Sequence, residues 1–201
     1  VPGWEAGARQ DLQERLASGK TFDTPLAAPA TTHWLHNVND DRVVGMMRHL
    51  NMHNRKEDKV KLIFVPCYLT GHDGIFNMPY YDVIMGNDLS VFPSYYEPWG
   101  YTPLESIAFR VPTITTDLAG FGLWVNAEVG RMGEIEDGVK VIHRTDYNYS
   151  EVVDAIKDTV AWYSAMNDSQ VKKAREKAGK LSKKALWSNF ITHYERAYDM
   201  A

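Results

Sequence analysis

Apolar and polar positions divide the first half of the chain into short segments that each predict one element. Apolar residues recur at helical spacing after Asn39-Asp40-Asp41, which predicts a helix that ends near Asn54. Residues 59–66 contain β-branched and aromatic side chains and an apolar run that begins at Leu62, and they predict a buried strand. Residues 79–85 predict a short helix. The pattern upstream predicts a strand end with a helix, a loop and a short strand, over residues 1–18, 19–31 and 32–36.

The second half alternates short strand-like segments with helical patterns. Strands are predicted at residues 89–92, which form a short apolar run, and at 112–116 and 139–143, and a helix at 103–109 separates the first two. Gly120-Phe121-Gly122 predicts a glycine-rich turn after the second strand. Two sets of apolar residues then recur at helical spacing: Val152, Val153, Ile156, Val160 and Tyr163, and Val171, Ala174, Ala178, Leu181 and Ala185. Strands that alternate with helices predict an α/β fold with a doubly wound parallel sheet.

Composition narrows the class of protein without identifying it. The 201 residues are 44% apolar and 24% charged, which is typical of a globular protein. The net charge of −4 gives no electrostatic reason to expect nucleic acid or an anionic membrane as a partner, and no apolar run is long enough to span a bilayer. The single cysteine, Cys67, cannot form an internal disulfide, so we expect a reducing, cytoplasmic location.

Two carboxylates lie eight residues apart in the segment from Phe92 to Glu105, which is rich in aromatic residues, glycine and proline. Thr102-Pro103-Leu104-Glu105 predicts a helix start with Thr102 as N-cap, proline in the first position and Glu105 in the third. The free N–H groups of a first helical turn favour a phosphate. Glu97 lies before this turn, and its carboxylate can lie on the order of 10 Å from that of Glu105 along a partly extended loop. The segment therefore predicts one side of a nucleotide-sugar site.

The same segment carries a resemblance to a known family. Val91-Phe92-Pro93-Ser94-Tyr95-Tyr96-Glu97-Pro98-Trp99-Gly100-Tyr101-Thr102-Pro103 resembles the C-terminal half of a glycogen synthase of the fungal and animal type. Pro112-Thr113-Ile114-Thr115-Thr116 and Gly120-Phe121-Gly122 support the match. The family consists of retaining glycosyltransferases with the two-domain GT-B fold. The resemblance implies that residues 1–165 belong to a Rossmann-like nucleotide-sugar-binding domain and that the given sequence starts inside this domain. It also implies that C-terminal helices over residues 166–201 pack back on this domain and toward a missing N-terminal domain.

For the sugar end of the donor, the resemblance implies that UDP-glucose is the substrate and that Glu97 is catalytic. Glu97 would lie beside the glucose and hydrogen-bond hydroxyls near the reacting carbon. The backbone N–H groups of Trp99 and Gly100 would hold other sugar hydroxyls. Transfer retains the anomeric configuration, and Glu97 would support an oxocarbenium-like transition state electrostatically, with a nucleophilic role as the alternative.

For the nucleotide end, the resemblance implies four further binding residues. Tyr101 and Thr102 would meet the pyrophosphate, Glu105 would accept hydrogen bonds from the ribose hydroxyls, and Tyr80 would stack on uracil. Glu105 also fits a purely local role as the capping-box partner of Thr102, and Tyr80 fits simple packing beside Tyr81. The loop holds four aromatic residues that cannot all be buried, so some must line a crevice: Tyr95, Tyr96, Trp99 and Tyr101.

The resemblance also sets expectations about cofactors and partners. The chain has no Asp-x-Asp and no His/Cys/Asp cluster at ligand spacing, so we expect no metal and no cofactor. The acceptor would be an α-glucan bound through the missing N-terminal domain, and the complete protein could form a homo-oligomer. The Arg and Lys that clamp the pyrophosphate would lie upstream of Val1. Two alternatives stay open: a retaining GT-B enzyme with another donor or acceptor, and a donor-binding fragment that is inactive alone.

Overall fold

The computed structural model describes residues 40–55, 57–73 and 76–200. The elements predicted over residues 1–36 lie outside these ranges. The chain divides into two compact units, Val1–Val83 and Ile84–Ala201, and each is described by itself.

Helix α1, Arg42–His49, begins the described part of the first unit. The Asp41 side chain accepts a hydrogen bond of 2.8 Å from the backbone N–H of Val44, which satisfies one of the free N–H groups at the helix start. Val44 and Met47 form its buried face, which confirms the predicted helix, although the helix ends five residues before Asn54. A second, shorter helix, α2, covers Tyr80–Met85, as predicted.

The buried strand predicted for residues 59–66 is wrong. This segment forms no strand within the described residues, and Val60 is 59% exposed. Leu62 instead makes both backbone hydrogen bonds with the side-chain amide of Asn54, each at 2.8 Å. A β-branched run predicts a strand only where another strand can pair with it, and here an asparagine side chain takes that place.

The second unit contains a sheet of three parallel strands in the order β1-β2-β3. The strands are β1, Ser90–Val91, β2, Thr113–Thr116, and β3, Val139–Ile142. Helix α3, Tyr101–Ala108, connects β1 to β2, and α4, Gly120–Val129, with a 3₁₀ turn at Ile135–Asp137, connects β2 to β3. After β3 come α5, Tyr149–Ser164, α6, Asp168–Lys184, and α7, Trp187–Met200. The predicted α/β class and parallel sheet are confirmed.

Two buried clusters hold the helices to the sheet. One combines side chains of α3, α4, β3 and α6, namely Ile107, Phe121, Val125, Val139, Val141, Ala178 and Leu181. The other combines Ile114 of β2, Ile142 of β3 and Val152 of α5. Because successive side chains of a strand point to opposite faces, the two clusters lie on opposite faces of β3. Helices therefore pack on both faces of the sheet, and this packing fixes the positions of the strand ends.

The helices after residue 150 agree with the predicted helical spacing. Ala174, Ala178 and Leu181 form the buried side of α6, whereas α7 has no buried residue. No described helix has both the length and the apolar content that crossing a membrane requires. The division of the chain between residues 165 and 166 stays a prediction.

The glycine-rich turn predicted at Gly120-Phe121-Gly122 is instead the first turn of α4. A Cβ atom on Gly122 would lie 2.1 Å from the carbonyl oxygen of Thr116, so only glycine lets the helix approach the end of β2 this closely. The change of direction occurs earlier, at residues 117–118. These glycines serve close packing between helix and strand rather than a turn conformation.

Asp137 connects the 3₁₀ turn to α6. Its carboxylate lies 2.7 Å from Arg131 and 3.3 Å from Lys177, and its side chain is 12% exposed. Burial alone raises the pKa of Asp137, but the backbone N–H of Glu134 and the Arg131 guanidinium outweigh it, so the pKa lies below the ordinary value. A carboxyl with a lowered folded-state pKa stabilises the fold above its unfolded pKa, and this stabilisation is lost as the pH falls through the folded pKa.

We expect Asp137→Asn to lower the free energy of unfolding at pH 7 by about 1.5 kcal/mol, the usual contribution of hydrogen bonds to a charged group. The deficit should shrink below about pH 4, where the unfolded carboxyl takes up its proton. Urea unfolding at pH 7 and pH 3 measures both effects. Asp154→Asn is the control, because Asp154 pairs with Lys157 on an exposed surface of α5 and contributes little. An equal deficit at the two pH values would contradict the prediction.

Candidate functional site

The three parallel strands end at one edge of the sheet, and the segments that follow them lie next to one another. Residues 92–100 follow β1, residues 117–119 follow β2, and His143 and Arg144 follow β3. In open α/β sheets, ligands bind outside the carboxyl ends of the strands. This edge of the sheet is therefore the candidate site.

Glu97 is fixed at this edge by both its backbone and its side chain. Its N–H donates to the carbonyl of Leu118 at 3.3 Å, and its own carbonyl accepts from the N–H of Gly120 at 3.1 Å. The carboxylate oxygen Oε2 accepts from the hydroxyl of Ser94 at 3.1 Å. The side chain is half-buried, so the carboxylate has a defined orientation and remains accessible.

Gly100 brings the Glu97 carboxylate and the start of α3 together. Gly100 is buried and has φ 108° and ψ 81°, a conformation that side-chain-bearing residues rarely adopt. A Cβ atom at this position would lie 3.3 Å from Glu97 Oε2 and 3.3 Å from Cγ of Pro103. The carboxylate therefore lies directly beside the first turn of the helix.

The predicted N-cap at Thr102 is wrong. Helix α3 begins at Tyr101 with Gly100 as N-cap, because the left-handed backbone of Gly100 turns the chain into the helix two residues earlier. Thr102 is therefore the second helical residue, and Glu105 is the fifth. A capping box needs its acid three residues after the N-cap, so the local alternative for Glu105 is excluded. The N-cap residue, Gly100, has no side chain that could accept from the first N–H groups of the helix, and near this start Tyr101 and Thr102 are exposed and Glu105 is half-buried.

The aromatic residues of the loop separate into one packed ring and three exposed ones. Trp99 packs against the rings of Phe121, Trp124 and Phe190, with centroids 6.1, 5.8 and 5.5 Å away. Its carbonyl accepts from the N–H of Phe121 at 2.6 Å. The three tyrosines are exposed, which confirms that the loop aromatics are not all buried: Tyr95, Tyr96 and Tyr101.

Tyr80 belongs to the first unit, at the first position of α2. Its N–H donates to the carbonyl of Leu69 at 3.0 Å, and its ring lies 5.4 Å from that of Tyr81. The structure brings the predicted residues of the 97–105 segment together within the second unit. The role of Tyr80 in binding a base stays a prediction.

Three residues at this edge were missed by the sequence reasoning. Ser94 holds the Glu97 carboxylate, Thr116 donates its hydroxyl to the carbonyl of Ser94 at 2.7 Å, and Arg144 donates to the carbonyl of Pro93 at 2.5 Å. Each stands at or just after the carboxyl end of a predicted strand. Because the carboxyl ends of parallel strands meet at one edge, this position was the available signal.

Asp117 and His143 form a second polar group at the same edge. Asp117 accepts from the backbone N–H of Arg144 at 2.9 Å, and its other oxygen lies 2.5 Å from Nδ1 of His143. In the part of the chain that the structure describes, no group of three or more His, Cys, Asp and Glu side chains could hold a metal ion. The expectation that the site works without a metal stays a prediction.

Comparison with known proteins places this geometry in a family. A family model described as glycogen synthase matches residues 12–201. The chain is 29% identical to the glycogen [starch] synthase of Neurospora crassa over 94% of its length, and 31% identical to isoform 1 of Saccharomyces cerevisiae over 84%. It is 40% identical to the liver glycogen [starch] synthase of Mus musculus over 50% of its length.

These alignments cover 26%, 24% and 14% of the three relatives, so the chain spans about a quarter or less of their length. The family match, by contrast, covers nearly the whole of this chain, and it includes the loop that holds Glu97 and the start of α3. This confirms the predicted family from an observation independent of the motif's local geometry. The chain belongs to the glycogen synthase family.

Proposed function

We propose that this chain is the donor-binding part of a glycogen synthase that transfers glucose from UDP-glucose to the non-reducing end of an α-1,4-glucan, with retention. The observation that carries the proposal is the Glu97 carboxylate, held by Ser94 beside a helix start whose N-cap is a glycine. Family membership supports the reaction, since the relatives are named glycogen [starch] synthases. We further infer that the parallel sheet belongs to a doubly wound domain of a GT-B enzyme.

The donor would lie along the edge of the sheet with its glucose at Glu97. The carboxylate accepts hydrogen bonds from sugar hydroxyls, and the backbone N–H groups of Trp99 and Gly100 donate to others. The diphosphate lies at Tyr101 and Thr102, where the free N–H groups and the helix dipole favour negative charge. This orders the donor from the sugar at the loop to the nucleotide along α3.

For catalysis, the fixed orientation of the Glu97 carboxylate matters more than its contribution to donor binding. Positive charge develops on the sugar ring as the bond to the leaving diphosphate breaks, and an anion already in place stabilises it without reorganisation. The hydrogen bond from Ser94 and the backbone bonds of Glu97 supply that fixed orientation. We therefore assign Glu97 electrostatic and positional support of the transition state.

We propose that the α-glucan acceptor binds to a second, N-terminal domain that belongs to the longer protein. The matched relatives are about four times the length of the aligned region, which leaves room for a domain across the cleft. We place the complete protein in the cytoplasm, since its single cysteine in this chain, Cys67, suits a reducing compartment.

Glu105 provides the direct test of donor binding. It is half-buried in the second turn of α3, and helical side chains lean toward the N-terminus, which directs it toward the proposed ribose. We expect Glu105→Ala to weaken UDP-glucose binding at least about tenfold, because hydrogen bonds to a charged carboxylate contribute roughly 1.5–3 kcal/mol. Isothermal titration of UDP-glucose and ADP-glucose into the complete protein measures the affinity and the base preference. Glu151→Ala, on the exposed first turn of α5, is the matched control.

The same titration, together with transfer assays on the complete protein and on the 201-residue chain, decides between the alternatives. UDP-selective binding, its loss in Glu105→Ala and transfer of glucose to glycogen together support the proposal. A preference for ADP-glucose, or transfer only to small acceptors, indicates a different retaining GT-B enzyme. Donor binding without transfer by the 201-residue chain, alongside transfer by the complete protein, assigns this chain the binding role alone.

A further inference from the structure

The loop segment formed by residues 93–95 is held from the ends of two neighbouring strands. Nη1 of Arg144, just after β3, donates to the carbonyl of Pro93 at 2.5 Å. The hydroxyl of Thr116, at the end of β2, donates to the carbonyl of Ser94 at 2.7 Å. The guanidinium carbon of Arg144 also lies 4.0 Å from the centroid of the Tyr95 ring. Three consecutive residues are thus fixed, two of them by one arginine.

Arg144 is itself firmly placed. The residue is 8% exposed, and its backbone N–H donates to Oδ1 of Asp117 at 2.9 Å. Asp117 in turn donates its own N–H to the carbonyl of Ile142 at 3.1 Å, which continues the pairing of β2 with β3. Burying a cation costs free energy, and a carbonyl and an aromatic ring compensate only part of that cost. Stability alone is therefore a weak reason for an arginine at this position.

The contacts of Arg144 require the particular shape of a guanidinium. Its Cζ atom lies over the Tyr95 ring while one of its N–H groups donates to Pro93, and a planar guanidinium can make both contacts at once. A lysine ammonium has one charged point on a flexible stem and cannot present a face and an edge at once. The arrangement therefore restricts both the position of the backbone and the orientation of the tyrosine ring.

The 93–95 segment leads directly to the proposed catalytic carboxylate. The Ser94 hydroxyl that donates to Glu97 Oε2 is attached to the backbone that Arg144 and Thr116 hold. A shift of this segment moves the hydroxyl, and the carboxylate loses its fixed orientation. We propose that Arg144 is a positioning residue for glucosyl transfer: it fixes residues 93–95 and, through Ser94, orients Glu97. The inference rests on the role proposed above for Glu97.

The test is a double-mutant cycle in the complete protein, with UDP-glucose and glycogen as substrates. We expect Arg144→Lys to lower kcat about tenfold with little change in donor KM, because misplacement of a catalytic group affects the transition state more than binding. In the Glu97→Gln background, Arg144→Lys should cause no further loss, since the carboxylate through which it acts is already gone. Arg131→Lys is the control, because Arg131 is an exposed arginine that pairs with Asp137 away from the loop.

Each outcome bears on a different statement. If the losses from Arg144→Lys and Glu97→Gln multiply, or if Arg144→Lys raises donor KM and leaves kcat unchanged, the positioning role is overturned while the proposed function stands. If Glu97→Gln alone leaves turnover unchanged, the role of Glu97 fails and this inference fails with it. Should Arg144→Lys unfold the protein, Tyr95→Leu replaces it in the cycle. Tyr95 is exposed, so its loss removes the ring beneath the guanidinium at little cost to folding, and the same non-additivity is expected.

Discussion

Replacing Glu97 with glutamine in the complete protein is expected to lower kcat on the order of 10²-fold or more, with a much smaller change in donor KM. Glutamine keeps the size of the side chain and an oxygen that accepts from Ser94, so the loop should keep its conformation. It removes the negative charge beside the reacting sugar. A loss confined to kcat therefore measures the charge in the transition state rather than a disturbed site.

Initial rates of glucose transfer from UDP-glucose to glycogen measure this effect, and circular dichroism with thermal unfolding checks the fold of the variant. Glu151→Gln removes an exposed carboxylate at the start of α5 and should leave both constants unchanged. Turnover of Glu97→Gln within a factor of about two of the original would contradict the assignment. Azide added to Glu97→Ala separates the nucleophilic role of the carboxylate from the electrostatic one. If Glu97 acts as a nucleophile, azide takes its place at the anomeric carbon, UDP leaves and a glucosyl azide forms.

Much of the second unit could be predicted from the sequence because its elements depend on local pattern. Residues 112–116 and 139–143 are short segments rich in β-branched side chains, and they form β2 and β3 within one residue of the predicted bounds. The repeat from Val171 to Ala185 gives α6, whose buried residues all belong to the predicted stripe. The strands follow from the β-branched composition of their segments, and the helix follows from burial of one face, which the spacing of its apolar residues records directly.

The features that the sequence did not predict depend on side-chain contacts or backbone conformations that local propensity does not record. The run at 59–66 has the composition of a strand, but its pairing is taken by the Asn54 side chain. The start of α3 was placed at Thr102 because side-chain capping is the commoner signal, whereas the left-handed backbone of Gly100 decides it. The hold of Arg144 on Pro93 joins positions 51 residues apart. Local propensity carries no information on such a contact.

The same limit applies within the site itself. The motif loop predicts that Glu97 lies between β1 and a following helix, although it places the helix start two residues too late. What orients the carboxylate comes from β2 and β3, through Thr116 and Arg144. Sequence reasoning therefore identified the carboxylate that we propose meets the donor, but not the groups that hold it.

Gly120→Ala is expected to disturb the fold and the site together. A Cβ atom there would lie 2.2 Å from the carbonyl oxygen of Pro98 and 3.3 Å from Cα of Trp99, and backbone atoms cannot give way as a flexible side chain does. The N–H of Gly120 also donates to the carbonyl of Glu97, so moving α4 away from the loop lengthens that bond. We expect the free energy of unfolding to fall by about 3 kcal/mol, the upper part of the usual range for overpacking, and UDP-glucose affinity to fall with it.

Urea unfolding and donor titration of the Gly120→Ala variant measure the two effects on one preparation, and Gly45→Ala is the matched control. Gly45 lies within α1 with no atom within 4 Å of a Cβ built on it, so alanine there should stabilise the helix by up to about 1 kcal/mol. Normal stability of Gly120→Ala would show that the loop and α4 can separate freely. Lost stability with unchanged donor affinity would show that α4 supports the sheet without positioning the loop. The expected joint loss would show that α4 supports the loop of residues 92–100, because a single methyl group between the helix and the loop lowers both stability and donor affinity.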